Sequence, residues 1–202
     1  MIFALAVIAS LVVAFLRGRS MDDVLGKPFE VWPLAVVGVA LHLVVSLSAL
    51  ASALADHPAG SVLPLGALLY LASYAFLIVF LVANRHHPGF VVLLLGLLLN
   101  VFEIASNAGQ MPTDPQQLAL AGMLDVERQA AALGRWSPHS VADGSTLLAW
   151  LDDRIIVLLP FHHGALLSIG DGLICIGCFL FCNDPFRRPS LVATRQPVGV
   201  GQ

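Results

Sequence analysis

Three polar side chains interrupt a run of leucines and valines: Asn100, Glu103 and Asn107, spaced at i, i+3 and i+7. That spacing places them on one face of a helix, and Gly96 extends the same stripe by one turn. A second stripe runs through Ser168, Asp171, Cys175, Cys178 and Cys182. Carboxyl, amide and hydroxyl groups set in aliphatic sequence have two chemical uses. They can take up a proton or a cation, or they can hydrogen-bond between helices and fix their packing. At 1.5 Å of rise per residue, Glu103 lies about 6 Å from the Asn107 end of its helix and Asp171 about 9 Å into its own. The two carboxyls are therefore expected at similar depth, on facing stripes.

Other groups could bind something. His42 and Ser46 stand one turn apart, and Tyr70 and Tyr74 lie at comparable depth in the next apolar run. A histidine in such a position suits an axial ligand to haem or a chlorophyll-type pigment, or a hydrogen bond to a neighbouring helix. His162 and His163, with Asp152 or Asp153, offer nitrogen and oxygen donors for a divalent metal, or are simply solvated. The three cysteines have no matching ligand set elsewhere and read as small hydrophobes. No Ser/His/Asp triad, phosphate-cradling glycine loop or zinc-protease helix is present, so no catalytic residues are assigned.

The elements that carry these groups are apolar. The chain is 58% hydrophobic and 11% charged over 202 residues, with mean hydropathy +0.87. Soluble domains carry about 25% charged residues. Five apolar segments, about 2–16, 31–55, 62–83, 89–106 and 165–182, approach or exceed the roughly 20 residues that cross a bilayer. The expected fold is an all-α integral membrane protein of five transmembrane helices in one membrane domain, residues 1–183. Residues 184–202 form a polar tail, expected to be disordered. With the N-terminus outside, Arg17, Arg19, Lys27, Arg85, Arg187, Arg188 and Arg195 face the cytoplasm, and only Arg128, Arg135 and Arg154 lie outside. That bias gives N-out, C-in topology in a bacterial cytoplasmic membrane. A net charge of −3 leaves no basic footprint for nucleic acid.

The long outer loop, 107–163, has its own structure. Asp114-Pro115-Gln116-Gln117 reads as a helix start, with Asp114 as N-cap and Gln117 completing a capping-box pattern. An amphipathic helix is expected from there to about Leu133, stopped by Gly134. The segment 146–160 is apolar but carries Asp152, Asp153 and Arg154 at its centre. Three charges argue against a lipid-exposed span, so an interfacial or re-entrant segment is expected.

Several of these motifs together resemble a bacterial family of multi-pass membrane proteins catalogued as domain of unknown function 5317. They are "NAGQMP" at 107–112 and "LLSIGDGLICIG" at 166–177, the latter preceded by a Pro-Phe turn. The turn Leu16-Arg17-Gly18-Arg19 and the stretch Asp153 to Ile156 add to the likeness, which covers about residues 1–182. His162-His163 before Gly164 departs from the family pattern. The resemblance implies an architecture and no activity.

Two functional classes follow. The first is a non-catalytic accessory or scaffold subunit of a larger membrane complex, of the electron-transfer or photosynthetic kind, with the lipid bilayer and other membrane subunits as partners. The alternative is a small ion- or proton-translocating protein using the Glu103/Asp171 pair. A lipid-modifying enzyme would need a catalytic constellation that the sequence does not offer.

Overall fold

A computed structural model of the chain describes residues 2–46, 63–157 and 165–184. The fold is mostly helical. In chain order it contains α1 (Ile2–Leu16), α2 (Met21–Leu25), α3 (Trp32–Ser46), α4 (Leu65–Ala83) and α5 (Phe90–Ser106). A cap follows: β1 (Met111–Thr113), α6 (Pro115–Leu120), α7 (Leu124–Ala132), β2 (His139–Val141), β3 (Ile155–Val157) and β4 (Ala165–Leu167). The last helix is α8 (Ile169–Asn183). Among the described residues α4 is the helix long and apolar enough to cross a membrane. The apolar helices α1, α3, α5 and α8 have 15, 15, 17 and 15 residues.

The local chemistry explains where these helices stop. Gly18, at φ 78°, turns the chain after α1. α4 begins after Pro64, which cannot continue a helix backwards. α5 ends in the corner Asn107-Ala108-Gly109, where Ala108 and Gly109 take φ 55° and 78° and the Gly109 amide donates to the Ile104 carbonyl at 2.9 Å. The expected fifth apolar helix starts four residues late. Ala165–Leu167 pairs antiparallel with β3, and Ser168 then caps α8, accepting from the Asp171 amide while the Asp171 carboxylate accepts from the Ser168 amide. A short apolar run fits a strand as well as a helix, and here the capping box fixes the boundary.

The cap departs from expectation in two further places. The single amphipathic helix is broken into α6 and α7 by the turn around Gly122, at φ 71°. Asp114 does cap it, its carboxylate accepting from the Gln116 and Gln117 amides at 2.7 and 3.2 Å; the Gln117 side chain makes no returning bond and its Oε1 is without a partner. The 146–157 stretch is a series of turns leading into β3, and Asp153 makes a bridge to Thr113. It folds into the cap. Parallel pairing of β1 with β2, Met111 opposite His139, ties the two halves of the cap together.

The long helices lie side by side in the order α1, α8, α5, α4, α3. No comparable contact closes α1 onto α3 among the described residues, so they form an open row. The α5–α8 contact depends on glycines. A Cβ at Gly96 would overlap the Gly170 carbonyl, one at Gly170 would overlap the Asn100 amide, and one at Gly177 would press on Leu93 and Gly89. Small residues let helix backbones approach this closely. Across the α5–α4 and α4–α3 seams pack Tyr70, Tyr74, Leu81, Phe90, Leu97, Ile104 and Val45.

Candidate functional site

At one end of the row, where α4 turns into α5, polar groups are matched. Asn84 is fully buried. Its amide donates to the Glu30 and Phe80 carbonyls, each at 2.8 Å, and its oxygen accepts from the Glu30 amide at 2.8 Å. Asp184 faces Lys27 at 3.7 Å and its carbonyl accepts from Arg19. Asn183 donates to the Ser10 carbonyl at 3.1 Å, joining α8 to α1. Phe29 stacks on Phe90 with ring centroids 6.0 Å apart.

The cap end holds the residues singled out in the sequence. Asn100, Ser168 and Asp171 come together: the Asn100 amide donates to Asp171 Oδ1 at 2.7 Å, and the Ser168 hydroxyl donates to Asn100 Oδ1 at 3.1 Å. With the capping box, this makes a closed network in which Asp171 has its donors. Asn107 serves a different purpose. Its amide donates to the Leu147 carbonyl at 3.0 Å and its oxygen accepts from the Leu147 amide at 2.9 Å. The side chain thus imitates a strand partner and clamps the cap to the end of α5.

Glu103 is the exception. It is fully buried, and neither carboxylate oxygen has a hydrogen-bond partner among the described residues. The expected pairing with Asp171 is not formed, because Asp171 is taken by Asn100 and Ser168. The acidic groups whose charges act on Glu103 are Asp152, Asp153 and Asp171, opposed by Arg154. Arg154 is itself engaged by Asp152.

Asp152 and Asp153 are 3% and 2% exposed, so the two acids of the cap segment point inward. Asp153 Oδ2 faces His139 Nδ1 at 3.5 Å, while Asp153 Oδ1 has no hydrogen-bond partner among the described residues. Thr113 Oγ1 and Gln117 Oε1 are likewise buried without one. Burial alone would pull the His139 imidazole below its ordinary range. The Asp153 carboxylate beside it, with Glu127 and Asp171 further off, more than offsets this, and the pKa is raised. A cluster in which acceptor oxygens outnumber donors has one chemical consequence: it favours whatever brings a proton or a positive charge.

The remaining candidates are arranged differently. His42 packs against Tyr70 and Tyr74, with ring centroids at 5.1 and 5.4 Å, and Nδ1 lies 3.4 Å from Ser73 Oγ. Because the Ser73 hydroxyl donates to the Tyr70 carbonyl, the imidazole is the donor in that contact. Ser46 does not pair with the His42 ring; its hydroxyl donates to the His42 carbonyl. The three cysteines are free thiols packed along α8, with Cys182 buried beside Ala14 and Val24. Among the described residues no three His, Cys, Asp or Glu side chains are placed to hold one metal ion. His162 and His163 lie outside the described residues, as do 47–62, including the end of the second apolar segment, and the 185–202 tail.

The corner formed by Asn107 to Thr113 and the Ser168–Asp171 cap are the two motifs that carried the family resemblance, and both are structural joints of the α5–α8–cap contact. Residues 28–183 match the family described as "Family of unknown function (DUF5317)". The chain belongs to that family. A protein of Thermotoga maritima, described as an uncharacterized protein, is 35% identical over 120 residues. The match takes in 59% of this chain and 65% of the relative, just under two thirds of that protein's length. No solved structure matches the chain. Within this member of DUF5317, sequence reasoning missed His139 and Thr113 as the neighbours of Asp153. A lone histidine in the turn-rich "SPHSVADGS" carries no periodic signal.

Proposed function

We propose that the chain is a multi-pass protein of the bacterial cytoplasmic membrane, with α1, α3, α4, α5 and α8 crossing the bilayer N-out, C-in. Only 33% of the spanning window of α4 is buried, which suits a lipid-facing helix better than the core of a soluble domain. Val36, Val37, Leu43, Leu95, Phe102 and Ile176 are exposed along the other helices, far more apolar surface than water tolerates. The short helices are accommodated by local thinning of the bilayer and by Arg17, Arg19 and Arg85 reaching to its edge.

In that setting the protein acts as a non-catalytic accessory or scaffold subunit of a larger membrane complex, of the electron-transfer or photosynthetic kind. The observation that carries this reading is the open row of helices. Among the described residues the row encloses no pore, and it offers two broad apolar faces for lipid and for the helices of other subunits. The test is purification of the native protein in gentle detergent, recording its absorbance spectrum and the subunits that travel with it. Stable partner subunits or pigment are expected. A bare homo-oligomer that conducts ions in liposomes would overturn the reading.

A second reading, ion or proton translocation using Glu103 and Asp171, is favoured by one observation: the Glu103 carboxyl is buried and has no hydrogen-bond partner among the described residues. The satisfied network around Asp171 weighs against a mobile role for that residue.

A further inference from the structure

Glu103 occupies a position that an ordinary structural contact does not explain. Its carboxyl is 0% exposed, it accepts no hydrogen bond from any described residue, and the charges around it are mainly acidic. A carboxylate stripped of water with no donor is strongly disfavoured; binding a proton removes that penalty with the least rearrangement. A proton needs a way in, and the first leg of one is placed at the cap surface. His139 sits on β2 with its side chain 31% exposed, within reach of solvent. Its Nδ1 faces Asp153 Oδ2 at 3.5 Å. The second oxygen of Asp153 has no hydrogen-bond partner among the described residues and Asp153 is 2% exposed, so this carboxyl joins a partly exposed imidazole to the buried side of the cap. Thr113, whose backbone bridges to Asp153, adds a buried hydroxyl with no partner. Gln110 holds the strand in place, donating to the Ser137 carbonyl at 2.9 Å.

We propose that Glu103 is a proton-binding site reached from the cap surface through His139 and Asp153. A proton from water adds to the His139 imidazole, passes to Asp153 as the ring is released neutral, and ends on Glu103, leaving Asp153 ionised again; release follows the same path backwards. The route ends at Glu103 because Asp171, the next carboxyl, has its oxygens occupied by Asn100 and by the Ser168 amide. The other charged groups facing the route are Glu127 from α7, acting on His139, and Asp152 and Arg154, acting on Glu103; His42 of α3 also senses His139. The inference needs no partner subunit and stands apart from the scaffold reading.

The test is infrared difference spectroscopy of the full-length protein in lipid nanodiscs, stepping the pH from mildly alkaline to mildly acidic. A carboxylic acid C=O band should grow in, and Glu103→Gln should abolish it. His139→Gln, a change at a partly exposed position, should slow the appearance of that band and shift its midpoint. Asp153→Asn should do the same, and Asp143→Asn, at an exposed turn, should change nothing. If Glu103→Gln fails to fold, the two route variants still decide. A band unaffected by both His139→Gln and Asp153→Asn would overturn the route, and a spectrum unchanged by Glu103→Gln would overturn the site. Loss of partner subunits on purification would bear on the scaffold reading and leave this result untouched.

Discussion

Asn84 and Glu103 are equally buried, at opposite ends of the same helix row, and they differ in what surrounds them. Asn84 spends both amide protons and its oxygen on backbone groups of Glu30 and Phe80, so the α4–α5 turn is locked to the approach to α3. The Glu103 carboxyl has no hydrogen bond among the described residues, and the charges acting on it are mainly acidic. A protein that satisfies one buried polar group completely and another not at all has divided its labour. The turn end holds the row together, and the cap end leaves buried acceptors without donors among the described residues. The match is not perfect at the turn end, where Asn183 Oδ1 has no partner, but its amide is engaged twice.

The contrast is sharpest in stability, because removing a satisfied group strands its partners while removing an unsatisfied one strands nothing. Asn84→Ala should be the most damaging change, costing on the order of 3 kcal/mol through the stranded Glu30 amide and carbonyl. Unfolding of the protein in nanodiscs would measure it, and a loss below the noise would mean that the turn end is not the lock. Asn100→Ala should come next, at about 2 kcal/mol, since it leaves Asp171 and Ser168 short of a partner at the glycine-lined α5–α8 contact. The same unfolding measurement reads it.

Glu103→Met should be smaller still, within about 1 kcal/mol and toward greater stability, because it replaces an unanswered carboxyl by an apolar group of similar length. The sequence alone argues the reverse, namely that Glu103 has partners on the fifth apolar segment and that removing it orphans them. A strong destabilisation would restore that view.

How much could be read in advance follows the same division. The stripes at 100/103/107 and 168/171 were legible, because helical spacing dictates which residues share a face, and Asn100, Ser168 and Asp171 do meet. Periodicity does not say which member of a stripe meets which member of another, and so it paired Glu103 with Asp171. The end of α1 at Leu16 and of α5 at Ser106 fall where the apolar runs stop. The start of α8 does not, because Ala165–Leu167 found a strand partner in β3. Asp152 and Asp153 stood out as charges too costly for a lipid-exposed span. That they turn inward out of water goes with the Thr113–Asp153 bridge, a contact across 40 residues of chain that no local pattern encodes.

The smallest effect concerns pH. His139 has its pKa raised in the folded protein above the ordinary histidine value, despite burial, because the Asp153 carboxylate favours the charged ring. The folded state therefore holds the proton more tightly than the unfolded one. Its stabilising contribution is fully present below the unfolded value of about 6.5 and is lost as pH rises through the higher folded value. The stability difference between the native protein and His139→Gln should be largest in mild acid and fade toward alkaline pH. A difference independent of pH would mean that the imidazole and Asp153 are not coupled.

The proposed topology puts the locked end and the open end on opposite sides of a bilayer. Cysteine labelling from outside intact cells tests that directly, with Cys175, Cys178 and Cys182 first replaced by alanine. A cysteine at Gly144, on an exposed turn of the cap, should react with a membrane-impermeant maleimide, and one at Arg85, beside the α4–α5 turn, should react only after the cells are opened. Labelling of both positions in intact cells, or of Arg85 alone, would contradict the account.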